Sequence, residues 1–180
     1  MPKTYHKHPF ARLAHFNNHP VLISGRDTNA VEILNGLGVW ENSSVWDWPF
    51  SRSIFDYAAI TKYGENAYDD SYILLFGGQT DDGESSDLIA KFTTNSLQRW
   101  EIVGHLRQRR FAHSVIEDPI SQRIIVLGGD NLRNTEILIE ASEDPYEIEY
   151  HSHLIEQQLF DYKKYPLLIL RDHFDYCVFP

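Results

Sequence analysis

The sequence predicts an all-β fold assembled from repeated four-stranded antiparallel units. Three observations carry this expectation. An apolar run ending in glycine occurs three times, as Val21-Leu22-Ile23-Ser24-Gly25, Tyr72-Ile73-Leu74-Leu75-Phe76-Gly77-Gly78 and Ile124-Ile125-Val126-Leu127-Gly128-Gly129. The markers Gly25, Gly77 and Gly128 stand 52 and 51 residues apart, which is a repeat period. Each run is short, bounded by turn formers and rich in Ile, Val, Leu and aromatics, as a strand buried on both faces reads.

The other strands follow in order. Paired glycines at the end of a run permit positive φ and leave room for a neighbouring backbone. Polar linkers come next, Arg26–Asn29, Gln79–Ser86 and Asp130–Arg133, and then second strands over Ala30–Leu34, Asp87–Phe92 and Thr135–Ile139. Two of these share a longer pattern, Asn29-Ala30-Val31-Glu32-Ile33-Leu34 against Asn134-Thr135-Glu136-Ile137-Leu138. A third strand is marked by Trp100 in the middle repeat, and its first-repeat counterpart lies among Trp40, Trp46 and Trp48. In the last repeat the alternating Tyr146-Glu147-Ile148-Glu149-Tyr150 reads as a half-exposed outer strand. The strand before each glycine run carries Arg12-Leu13-Ala14-His15 and Arg110-Phe111-Ala112-His113, with Arg52–Ile60 in that place in the middle repeat.

Order, spacing and markers together resemble the kelch family, from about Phe10 to Tyr150. Gly77, Gly78, Trp100, Arg110, His113, Gly128 and Gly129 fall in family order, and Gly25, Arg12 and His15 are their first-repeat counterparts. Arg26 stands where a second glycine is expected, the middle repeat lacks Arg-x-x-His, and the last lacks its tryptophan. The resemblance implies a partial kelch-type β-propeller of about three to four blades built from antiparallel four-stranded sheets. The expected division is an N-terminal tail over 1–9, blades over 10–50, 51–104 and 105–154, and a degenerate or truncated fourth repeat over 155–180. So short an array leaves sheet edges to be covered, which offers a route to self-association.

Composition narrows the function. The net charge of −10, with no basic stripe, argues against nucleic-acid binding. The single cysteine, Cys177, rules out an intrachain disulfide, and no apolar run approaches a membrane span. The default is a soluble, cytoplasmic protein, although a piece of an extracellular chain would read the same way. His6-x-His8 and His151-x-His153 lack a third metal ligand at fixed spacing. The adjacent carboxylates Asp69-Asp70, Asp81-Asp82 and Glu143-Asp144 read as solvated loop charges rather than an acid and base facing across a cleft. No Gly-x-Ser-x-Gly elbow, phosphate loop or dinucleotide fingerprint is present. No catalytic residue, cofactor or metal is therefore expected. Trp46 and Trp48 read either as filling between blades or as an exposed anchor. By analogy with the family, the chain is expected to bind a protein partner through loops at one face. The candidate contacts are Arg26, Arg107, Arg109 and Arg133, on arginine's enrichment at interface hot spots. A carbohydrate-active or oxidase-like enzyme on the same scaffold, and a structural fragment with no partner, are the alternatives.

Overall fold

A computed structural model describes residues 3–16, 18–63, 71–93, 99–118, 121–130, 132, 134–140 and 150–155. Every regular element among them is a β-strand. None of them belongs to a helix long and apolar enough to cross a membrane. The strands form three successive four-stranded antiparallel meanders. The first comprises β1 (Leu13–Phe16), β2 (His19–Gly25), β3 (Thr28–Leu34) and β4 (Trp40–Asn42), in that spatial order. A short β5 (Ile54–Phe55) leads into β6 (Ala58–Lys62), and β7 (Tyr72–Phe76), β8 (Gln79–Thr80), β9 (Leu88–Phe92) and β10 (Trp100–His105) follow. Strands β6, β7, β9 and β10 make the second meander, and β5 pairs with β8 beside it. The third meander is β11 (Ser114–Glu117), β12 (Ile124–Leu127), β13 (Thr135–Glu140) and β14 (Tyr150–Ile155). A short parallel pairing of Gly104 with Tyr150 and His105 with His151 joins it to the second.

Strand alternation explains why the middle sheet is apolar on both sides. Ile73 and Leu75 face the first sheet, in a core with Phe16, Val21, Ile23, Val31, Trp48 and Trp100. Leu74 and Phe76 face the third, with Ile89, Val103, Ile124, Val126 and Leu138. The first strands of the three sheets lie side by side: Thr61 Oγ donates to the His15 carbonyl, and Lys62 pairs with Glu117. Beside them the backbone steps from sheet to sheet, Asp56 N–H donating to Phe10 C=O at 3.0 Å and Ala112 N–H to Asp56 C=O at 2.9 Å. Phe10, Asp56 and Ala112 all have left-handed φ, at 59°, 49° and 50°.

The same geometry corrects the phase of the first repeat. Ser24, Gly77 and Gly128 share φ near +55°, and Gly25, Gly78 and Gly129 share φ above +100°. Gly25 is thus the counterpart of the second glycine in each later pair, Ser24 takes the first place, and Arg26 replaces no glycine. Register then aligns Glu32 with Glu136, and Trp40 with Trp100. The shared Arg-x-Ala-His is not a structural equivalence. Arg110 and His113 are buried ahead of β11, whereas Arg12 is half-exposed and His15 lies exposed on β1. The segment in Arg110's position is 5–8, part of the expected tail: Tyr5 N–H and His6 N–H donate to Glu32 at 2.9 and 2.6 Å, and His8 is buried against the same carboxylate. Strand β14 begins at Tyr150; Tyr146–Glu149 and the expected fourth repeat beyond Ile155 lie outside the described residues.

Candidate functional site

In an antiparallel meander the second and fourth strands finish at the same end, so the connections after β2, β7, β10 and β12 gather there. Hydrogen bonds link them into a continuous belt. At the first step Asp81 accepts from Asp27 N–H at 3.1 Å, from Ser53 N–H at 3.2 Å and from the Ser53 hydroxyl. Burial pushes the Asp81 carboxyl up, but these donors and the Arg26 charge outweigh it and hold it below the usual carboxylate range. Arg26 itself is exposed, with its guanidinium 5.7 Å from the Phe55 ring centroid. Arg52 pairs with Asp82 and lies 3.8 Å from Glu84. Asp81 and Asp82 therefore serve as anchors of the loop framework.

The second step is held more rigidly. Leu106 N–H donates to Asp87 C=O at 2.7 Å, Arg110 N–H to Ser86 C=O at 3.0 Å, and Gly78 N–H to Arg110 C=O at 2.8 Å. Glu136, fully buried, accepts from Arg107 N–H at 2.7 Å and Gln108 N–H at 3.1 Å, and pairs with Arg110 Nη2 at 2.5 Å. Arg110 also donates to Gly128 C=O and to Asn134 Oδ1, and Asn134 Nδ2 reaches Gln108 Oε1 at 2.6 Å. The backbone at 107–108 is thus fixed from below, and the Arg107 and Arg109 side chains are exposed above it. Arg133 lies outside the described residues.

Sequence reasoning marked Arg110 and His113 but missed the carboxylate that holds Arg110. The signal was present in the repeated Asn29–Leu34 and Asn134–Leu138 motif, whose shared glutamate is buried in both copies. His113 is an uncharged core residue: burial, then the Arg110 and Arg12 charges, push it down to about 3, with the Phe76 carbonyl opposing. Arg12 lies 3.8 Å from Asp56, whose carboxyl is raised by burial and lowered by that guanidinium. Trp46, Trp48 and Trp100 fill the space between the first two sheets. Trp48 packs edge to face on Trp100 at 4.8 Å and donates to Arg52 C=O, while Trp100 donates to Trp46 C=O at 2.8 Å. Outside them an open groove is lined by Val45, Asp47, Phe50, Arg99 and Ile102. Among the described residues no three histidine, cysteine or carboxylate side chains come together as a metal site would require.

No family model matches this sequence, and no curated protein matches it. Solved structures do match. The structure of YjhT aligns with a TM-score of 0.58 at 13% sequence identity, over 84% of this chain and 47% of the YjhT chain. The chain therefore spans about half the length of YjhT, and what the two share is an all-β architecture of four-stranded antiparallel sheets.

Proposed function

We propose that the chain is a partial kelch-type propeller, each meander one blade, acting as a non-catalytic protein-interaction module through the belt of loops after β2, β7, β10 and β12. The observation that carries this reading is the 106–110 connection. A buried carboxylate and three inter-loop backbone hydrogen bonds fix its backbone while two exposed arginines project from it. A preorganised loop loses little freedom on binding, so its side chains contribute more of their interaction energy to affinity. Arginine matches carboxylates in a bidentate fork. The partner is an acidic protein segment, contacted by Arg107 and Arg109, with Arg26 on a neighbouring loop and Arg133 as the further candidate that the sequence offers.

The test is selection from a displayed library of acidic peptides, followed by titration of the enriched sequence against the wild-type chain and the double variant Arg107→Ala, Arg109→Ala. The expected result is at least about tenfold weaker binding by the variant, and binding that weakens as salt rises. Unchanged affinity in the variant, or no enrichment, would sink the proposal.

A further inference from the structure

Two sheet faces are covered by no described sheet, and the repeat geometry specifies what fits them. At each joint the leading sheet contributes the residue just before the paired turn positions, Ile23 or Phe76. The following sheet contributes the residue one earlier, Leu75 or Val126. Extended by the same rule, the third sheet leads with Leu127 and the first follows with Leu22. Around Leu127, the cross-strand row Ile116, Ile125, Ile137 runs over β11, β12 and β13 on the face turned away from the second sheet. Around Leu22, Leu13 stands opposite it on β1 and is 60% exposed, a large apolar residue on a sheet face; Ile116 is 40% exposed.

The backbone is left unfinished in matching ways. In the step from Phe10 to Asp56 to Ala112, each N–H donates to the carbonyl of the sheet before. Among the described residues the series leaves the Phe10 amide and the Ala112 carbonyl as a donor end and an acceptor end. A Cβ on Gly77 would come 2.5 Å from the Arg110 carbonyl of the next sheet, and Ser24 Oγ accepts from Ile54 N–H. Among the described residues, the equivalent Gly128 has only its own loop nearby, with Leu132 C=O at 3.6 Å. The residue in the place of Ile54 and Arg110 is His8.

We infer that two copies of this chain associate head to tail, the β11–β14 face of each on the β1–β4 face of the other, closing a six-sheet ring with two identical new joints. The size agrees: the array matches about half of the single YjhT chain, and six sheets fall within the usual range of closed propellers. The inference rests on the propeller reading and not on the arginine loops. Ala11 stands where Tyr57 and His113 reach back across the built-in joints, so the new joints are weaker and the association depends on concentration.

The experiment is sedimentation velocity of the full chain across a concentration series, at low and high salt. The expected result is a monomer–dimer equilibrium that strengthens with salt, because each copy carries a net charge of −10. Leu13→Glu and Ile116→Glu, both at exposed positions, should each be monomeric, with the thermal stability that the wild-type chain shows at concentrations too low for it to dimerise. Mixed together they should form a heterodimer through the one intact joint. A wild-type chain monomeric at every concentration, or a dimer broken by only one of the two variants, overturns the inference. So does an open-ended series of larger species. A monomer that Ile116→Glu destabilises also overturns it, and assigns that face to residues 156–180 of the same chain. Peptide binding by the arginine loops is untouched by any of these outcomes.

Discussion

The joint between the first and second sheets and the joint between the second and third do the same job with different chemistry. At the first, the Tyr57 hydroxyl donates to Ile23 C=O at 2.6 Å, and rings from Phe16, Phe92, Trp48 and Trp100 fill the space. At the second, His113 takes the place of Tyr57 with the Phe76 carbonyl as a polar neighbour, the filling is mostly aliphatic around the Phe76 ring, and the polar work falls to Arg110 and Glu136. A repeat conserves where a joint closes while leaving open how it is closed. The consequence is that the second joint buries an imidazole that the folded chain keeps uncharged, where the first buries a phenol.

The sharpest way to break this comparison is Arg110→Ala. Glu136 would keep two backbone donors but lose the Arg110 cation, deep in the second joint. Breaking a buried pair from one side costs about 3–5 kcal/mol, because the remaining charge is stranded. Urea unfolding monitored by tryptophan fluorescence should read that loss. A variant within about 1 kcal/mol of wild type would show that the carboxylate finds water. His8→Ala, at the equivalent pair on the first sheet, should cost less, since His8 makes two hydrogen bonds, to Glu32 and Ser24 C=O, where Arg110 makes three side-chain ones.

Acid separates the joints next. His113 sits at about 3 in the folded chain against 6.5 when free, so between those values the unfolded chain holds a proton that the folded chain lacks. Stability therefore falls as pH falls through this window, by about 1.4 kcal/mol per pH unit, and this group contributes no slope above it. From pH 6.5 to pH 5 the expected loss is about 2 kcal/mol. His113→Phe should flatten that part of the profile; an unchanged slope would assign it to other groups.

These differences mark where the sequence could be read and where it could not. The glycine runs were legible because burial on two faces leaves a continuous apolar signature in the chain itself, and the half-exposed Trp100 strand was legible by its tryptophan. The phase of the first repeat was not, since Ser24 holds φ at 51° without being glycine, stabilised by partners at Thr28 and Ile54 that composition cannot display. Arg12 and His15 matched Arg110 and His113 by letter, yet a position is defined by what it touches. Only the fold shows that the contact belongs to His8. The exposed Arg107 was legible as a loop arginine; that a carboxylate 29 residues away fixes its backbone was not.

Tyr57→Phe tests the first joint more gently. It keeps the ring and removes one hydroxyl, leaving Ile23 C=O short of a partner inside the core, at a cost of about 1–2 kcal/mol by urea unfolding. His113→Tyr is the complementary change. It should be neutral or stabilising at pH 5 if the tyrosine hydroxyl reaches Phe76 C=O, and destabilising if the second joint is too narrow for the larger ring.

The smallest effect is expected at Ser24, where the two joints differ by a single side chain. Ser24→Gly removes the hydroxyl that donates to Thr28 C=O at 2.7 Å and accepts from Ile54 N–H at 3.0 Å. It also relieves a left-handed φ that costs a non-glycine residue about 1 kcal/mol. Loss and relief oppose each other, so the net change should stay within about 1 kcal/mol. Ser24→Ala loses the same hydrogen bonds but keeps the strain, and should be the less stable of the two by about 1 kcal/mol in parallel thermal melts. If alanine and glycine prove equal, the backbone at position 24 is not held in the left-handed region. The equivalence of Ser24 with Gly77 and Gly128 would then fail, and with it the phase that places His8 opposite Arg110.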